Sequence, residues 1–417
     1  MRLGVNLMGM FRSVMPLVLA VWFLQLAGGI LVVLTPVGLQ AFGLSATGIG
    51  LVASLHAVGF MLGASLSPGL IADVGNIRVF AAAAALTAST AIAQGLWVSA
   101  PSWALLRLLQ GVGFALMFAS IESWLGRAVP PRQRGNILGF YNFAAKVALF
   151  CGPFIVTGTI VIDPETFLWP GLFLAVALIP ICMTRTEEPV RLHPGDAAYL
   201  RLFRQSPSAV IGVFLAGLVN TGVFALLPLY ATELNKDAKA LAMAAMAFGA
   251  ANIGGLLSQW PAGRLSDRFE RRTVIALMCA LSGGAAGLLF SLGHALSLHA
   301  TLTLLALWGA GSLSFYGVCV AHGADRVDDE DITSLMSMLL LTWAFGSILG
   351  PVIAGVTMRS SLGAGGLFAF AATGLFLVSI VMLVRRLNKT PVPDPEQTNW
   401  QPVMPAGLPG GDLDPRT

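Results

Sequence analysis

Twelve apolar runs divide the chain. They fall at about 14–38, 47–72, 79–99, 102–125, 136–159 and 166–184, then at about 208–231, 240–262, 273–293, 300–323, 333–357 and 364–384. Each approaches the roughly 20 residues with which a helix crosses a bilayer core. The pattern predicts an all-α membrane protein: twelve transmembrane helices in two six-helix bundles. The bundles are predicted at 1–184 and 208–387, joined by a polar linker at 185–207 whose segment TRTEEPVRLHPGD mixes charge with proline. The tail, 388–417, is rich in proline and glycine without periodicity and is predicted to be disordered. The first apolar run is too long for a signal-peptide core and is read as a retained span. Gly59-x-x-x-Gly63 and Gly346-x-x-x-Gly350 carry the spacing that lets helices approach closely in lipid.

Composition agrees with this picture. Of the 417 residues, 56% are hydrophobic and only 11% charged, against roughly 25% charged in soluble domains, and the mean hydropathy is +0.80. The net charge of +4 does not mark a nucleic-acid binder, because no basic face with interleaved aromatics exists. The charge is instead distributed by side. With the N-terminus inside, nineteen of the 24 Lys and Arg lie in cytoplasmic segments, three in external segments, and two, Arg107 and Lys146, inside spans. The positive-inside rule then predicts both termini in the cytoplasm. Cys151, Cys182, Cys279 and Cys319 lie in or beside apolar runs without metal-ligand spacing and read as small buried apolar residues. No metal site, cofactor motif, P-loop or hydrolase signature occurs, so neither an enzyme nor ATP-driven transport is expected.

One short pattern appears twice. GRLSDRFERR at 263–272 and GLIADVGNIR at 69–78 each follow the second apolar run of their half, with the aspartates 194 residues apart. The spacing points to a duplicated bundle with a polar hinge in each half. The second copy, with Gly263, Asp267, Arg268, Arg271 and Arg272 in register, resembles the signature loop of the major facilitator superfamily of secondary transporters. Glu270 stands where that loop usually has glycine. The first copy keeps Gly69 and Asp73, has Val74 where a basic residue is usual, and is one residue shorter before Gly75. Arg107-Leu-Leu-Gln110-Gly111 resembles the family's Arg-x-x-Gln-Gly motif. Gly152-Pro153 in span five and Gly350-Pro351 in span eleven resemble its helix-packing glycine–proline motifs. Ile121-Glu122-Ser123-Trp124-Leu125 with Arg134-Gly135 is similar to the YcaD-like branch, whose members carry no assigned solute.

Charges inside a span cost about 2.5–3.5 kcal/mol each and usually face a cavity or a partner. Arg107, Glu122 and Lys146 are the clear cases, in spans four and five. At 100° per residue Arg107 and Glu122 point within about 60° of one another, roughly 22 Å apart along the axis. A charged stripe toward the bundle centre is therefore expected, with Glu122 as a protonatable carboxylate. A structural network pinning spans four and five together would use the same residues. Gln25, His56, Asn220, Asn252, Gln259 and Tyr316 are mid-depth polar residues that line a cavity or make interhelical hydrogen bonds. Trp22, Trp308 and Trp343 offer apolar or stacking surface.

These residues and the resemblance imply a monomeric secondary active transporter of the bacterial inner membrane. It moves a small solute by alternating access, with the proton as the expected coupling ion and no cofactor or nucleic-acid partner. The competing expectation is a non-transporting sensor or scaffold built on a transporter fold. The resemblance further implies that Asp73 meets the start of span eleven near Thr333 and Ser334, and Asp267 the start of span five near Gly135 and Asn136, when the cytoplasmic side is shut.

Overall fold

The computed structural model describes residues 4–128, 131–160, 163–183, 203, 205–234, 239–293, 295–327 and 331–388. Most of the expected linker at 185–207, and the tail expected to be disordered from 389 onward, lie outside the described residues. The first six spans are Gly4–Ala41, Ala46–Val74, Asn76–Leu96, Ala100–Ala128, Pro131–Ile155 and a sixth made of Pro164–Val176 and Leu178–Cys182. The second six are Pro207–Leu234, Ala240–Arg268, Arg271–Leu292, a tenth made of Leu298–Ser312 and Phe315–Ala324, then Ile332–Arg359 and Gly366–Asn388. All twelve are long and apolar enough to cross a membrane, and no strand occurs among the described residues.

Helices begin where a side chain can satisfy one of the first, unpaired backbone N–H groups. Ser45 accepts from the Gly48 N–H at 3.3 Å, Asp163 from Glu165 at 3.1 Å and Ser297 from Ala300 at 3.3 Å. The packing repeats between halves. Span one lies on five, two on four and three on six; seven lies on eleven, eight on ten and nine on twelve. Glycines make the closest of these contacts possible. Any side chain at Gly59 or Gly63 would meet the Leu108 and Val112 carbonyls of span four, and one at Gly346 or Gly350 the Phe214 and Leu218 carbonyls of span seven. Gly152 meets the Leu26 carbonyl and Gly29 of span one in the same way.

The duplicated segments are mostly helix rather than loop. Residues Gly69 to Val74 form the end of span two, and Gly75 alone separates them from span three. Gly75 has φ +87° and ψ 160°, a region open essentially only to glycine. In the second copy Phe269 and Glu270 form a two-residue link. Glu270 has φ −52° and ψ 121°, which any L residue adopts, so glycine is not required there. The one-residue difference seen in sequence is the difference between these two links.

An even number of crossings puts the start of span one and the end of span twelve on one face, called here the terminal face. At the opposite face the halves are locked together. The backbone of Gly50 rests on the Pro351 carbonyl, and Gly355 on the Ala46 carbonyl. Thr47 Oγ1 donates to the Gly355 carbonyl at 3.2 Å, and Ser54 Oγ to that of Ile348 at 2.6 Å. Beside them Thr232 Oγ1 donates to Gln40 Oε1 at 3.1 Å, joining spans seven and one, while Phe150 and Phe154 pack on Gly249 of span eight.

Candidate functional site

Between the halves lies a cavity of about 600 Å³. Its walls come from spans one, two, four and five and from seven, eight, ten and eleven, the same positions in each half. Arg107, Lys146, Gln25, His56, Asn220 and Tyr316 all line it, as do Asn252 and Trp343. The remaining surface is largely apolar, with Phe60, Phe118, Phe150 and Phe224 prominent.

Arg107 is held by its own motif. Its Nη1 donates to Gln110 Oε1 at 3.0 Å, and Gln110 Nε2 donates to Gln94 Oε1 of span three at 2.7 Å. Gln94 in turn accepts from Trp103 through its carbonyl at 2.9 Å. Gly111 brings span four against the His56 carbonyl of span two. His56 Nδ1 donates to the Arg107 carbonyl at 3.2 Å, which fixes the ring as the Nδ1–H tautomer. Lys146 crosses the midline: its Nζ donates to Gln259 Oε1 of span eight at 2.7 Å. Gln259 itself does not line the cavity. No ion pair of Arg107 or Lys146 occurs among the described residues.

Glu122 departs from the expected stripe. It is half-buried, does not line the cavity, and stands within electrostatic reach of the Tyr141 and Tyr316 hydroxyls. The distance of about four helical turns along span four separates it from Arg107. Span ten breaks at Leu313–Ser314 beside the cavity, which Leu313 and Tyr316 line; Ser314 Oγ and Ser258 Oγ share a hydrogen bond at 2.8 Å. Broken helices are a recurring feature of transporter solute sites. Trp308 is fully buried with its ring against Phe224 rather than at the cavity surface, and Trp22 does not line it either. The cysteines divide: Cys279 and Cys319 are buried as expected, whereas Cys151 lines the cavity and Cys182 is exposed. Sequence reading missed Thr35, Thr221, Ser347 and the four phenylalanines. With 24 phenylalanines in the chain, nothing local distinguishes a lining ring from a core or lipid-facing one.

At the terminal face the described contacts of the switch residues fall within the second half. Asp73 and Arg268 are exposed, and a side chain at Gly69 would meet open space. Asp267 lies 3.8 Å from Arg271, one turn on. Arg271 grips Asp325 through Nε at 2.6 Å and Nη2 at 3.3 Å, tying the start of span nine to the end of ten. Arg272 pairs with Glu270 at 2.6 Å and donates to the Arg385 carbonyl at 2.7 Å; Arg386 pairs with Glu270 at 2.9 Å. The side chains of Asn136 and Thr333, and the surroundings of Gly135, lie outside the described residues, so the contacts expected of Asp73 and Asp267 there have no described counterpart.

The sequence as a whole matches the family model described as Major Facilitator Superfamily, over residues 17–322 and 253–409. The chain belongs to this superfamily. Among curated relatives it is 26% identical over 388 residues to "Uncharacterized MFS-type transporter YcaD" of Salmonella enteritidis PT4, covering 92% of this chain and 98% of that one. Among solved structures it resembles the nucleoside transporter NupG, at a TM-score of 0.72 and 14% identity, over 89% of this chain and 98% of that one. A D-xylose-proton symporter gives 0.68 and 15%, over 89% and 97%. Likeness at these identities concerns the fold. Superfamily membership makes the chain a multi-pass transporter of the bacterial inner membrane and not an enzyme.

Proposed function

We propose that this chain is a secondary active transporter that carries one small solute through the central cavity by alternating access, coupled to protons and acting as a monomer. The observation that carries the reading is asymmetry between faces. The halves interlock at the opposite face through Gly50, Gly355, Thr47 and Ser54. Deeper toward the terminal face Lys146 Nζ donates to Gln259 Oε1 at mid-cavity depth, and at that face Asp73 and Arg268 are exposed. With the terminal face placed in the cytoplasm by the positive-inside rule, this is an inward-facing arrangement. Rocking of the halves about the cavity then opens the other side.

Glu122 is the proposed proton carrier. A carboxylate in a span can alternate between charged and neutral forms, and this one is close enough to Tyr316 for its charge to be felt in the cavity wall across the midline. The test is solute flux in proteoliposomes with an imposed pH gradient. Glu122→Gln is expected to abolish gradient-driven accumulation while solute exchange continues. Accumulation that still follows the pH gradient in that variant assigns the proton to another group.

A further inference from the structure

We propose that the solute is an amphiphilic organic anion: one acidic head, compensated by Arg107 and Lys146, on an apolar body that fills the aromatic part of the cavity. This rests on the transport reading above for its biological sense, and on the cavity's own chemistry for its content. Arg107 is 7% exposed, spends Nη1 on neutral Gln110 and leaves a buried Nε without a partner. Lys146 binds only a neutral amide. Glu122 does not line the cavity. Two cations thus face a largely apolar enclosure without an opposing carboxylate among the described residues, and charge in that setting is costly until an anion offsets it.

The neutral polar groups argue for an apolar body. A sugar-like solute needs many free donors and acceptors in the wall. Here five are already engaged, which leaves Gln25, Thr35, Tyr316 and the Trp343 N–H to a solute. Asn220 exchanges two hydrogen bonds with Ser312, at 2.8 and 2.5 Å. Thr221 donates to the Gly217 carbonyl, Ser347 to that of Trp343, Asn252 to that of Phe248 and His56 to that of Arg107. Pockets of some 300–1,000 Å³ lined by apolar surface, with a few placed polar groups, are what drug-sized amphiphiles occupy. A cationic solute would meet two like charges. Hydrogen bonds to charged groups contribute about 1.5–3 kcal/mol, which corresponds to roughly 10- to 150-fold in affinity.

Calorimetric binding to the purified full-length protein, with charge-matched pairs, tests this. The probes are 2-naphthoate with 2-naphthamide, decanoate with decanamide, and octanesulfonate with octanesulfonamide, with 2-naphthylmethylamine as the cation. At least one anion is expected to bind about tenfold or more tightly than its neutral partner. Arg107→Gln and Lys146→Gln are each expected to erase that preference, and Lys146→Arg to retain it; a monodisperse elution profile and measurable binding of the neutral partner exclude misfolding. Neutral or cationic probes binding as well as the anions, or no anion binding at all, overturns the proposal. Flux of the same probes in proteoliposomes separates the two claims. Charge-selective binding without flux refutes the transport reading and leaves the anion site standing. Flux of a neutral or cationic solute that no anion inhibits refutes the anion site and leaves transport standing.

Discussion

Gly50→Val attacks the seal at the opposite face. At Gly50 the backbone of span two lies directly on the Pro351 carbonyl, so even one carbon added there must push the spans apart. The neighbouring bonds, Thr47 to Gly355 and Ser54 to Ile348, depend on the same approach. Overpacking a tight contact costs about 1–3 kcal/mol. That cost falls on the closed seal alone, so the balance moves toward the arrangement open at this face by roughly 5- to 150-fold. Cys151 is a native reporter because it lines the cavity, while Cys279 and Cys319 are buried; only exposed Cys182 needs replacement by serine. Right-side-out vesicles treated with a membrane-impermeant maleimide should label Cys151 slowly in the parent and at least severalfold faster in Gly50→Val. An unchanged labelling rate in a variant that inserts and purifies normally refutes the reasoning, because it means that the Gly50 contact does not hold the seal.

Three further outcomes follow from the switch segments and the cavity. Gly75→Ala forces an L residue into φ +87°, ψ 160°, at a cost of about 1–3 kcal/mol, so the detergent-solubilised protein should melt several degrees lower; an unchanged melting temperature contradicts the strained link. Asp267→Asn removes the charge 3.8 Å from Arg271 while Arg271 stays gripped by Asp325, so the fold should survive and transport should fall through a shifted balance, with Cys151 more accessible from the terminal side. Lost transport with unchanged accessibility points instead to a folding defect. Gln259→Leu breaks the Lys146 bond between halves and should speed exchange between the two arrangements, read as faster solute counterflow; slower counterflow contradicts a bond that must break in each cycle.

Hydrophobic periodicity revealed the twelve spans because bilayer thickness imposes a nearly fixed run length, and boundaries agree to within a few residues except at the terminal-face ends. There the helices extend beyond the apolar run through polar residues such as Asp73 and Ser266–Arg268. Arg107 and Lys146 were legible because a cation in a span needs a reason. The place of Glu122 was not legible: angular position along span four aligns it with Arg107, but a cavity has an end as well as a face, and depth is set by how the halves tilt. The bond from Lys146 to Gln259 joins residues 113 apart on two different bundles, and no local pattern encodes that pairing. The motif Arg-x-x-Gln-Gly acquired a physical meaning only with the structure: Gln110 orients the arginine and Gly111 admits span two.

The central claim is that the two halves rock about the cavity, opening one face as they close the other. Pulsed electron-spin distances between labels on both faces test it most directly. With accessible cysteines replaced by serine, one pair is placed at exposed Arg78 and Leu387 on the terminal face, the other at exposed Ser99 and Leu362 on the opposite face. Comparing the parent with Gly50→Val, the account predicts opposite changes: the terminal-face pair gains a shorter distance as the opposite-face pair gains a longer one. Changes of the same sign at both faces, or none at either while transport persists, would contradict alternating access through this cavity.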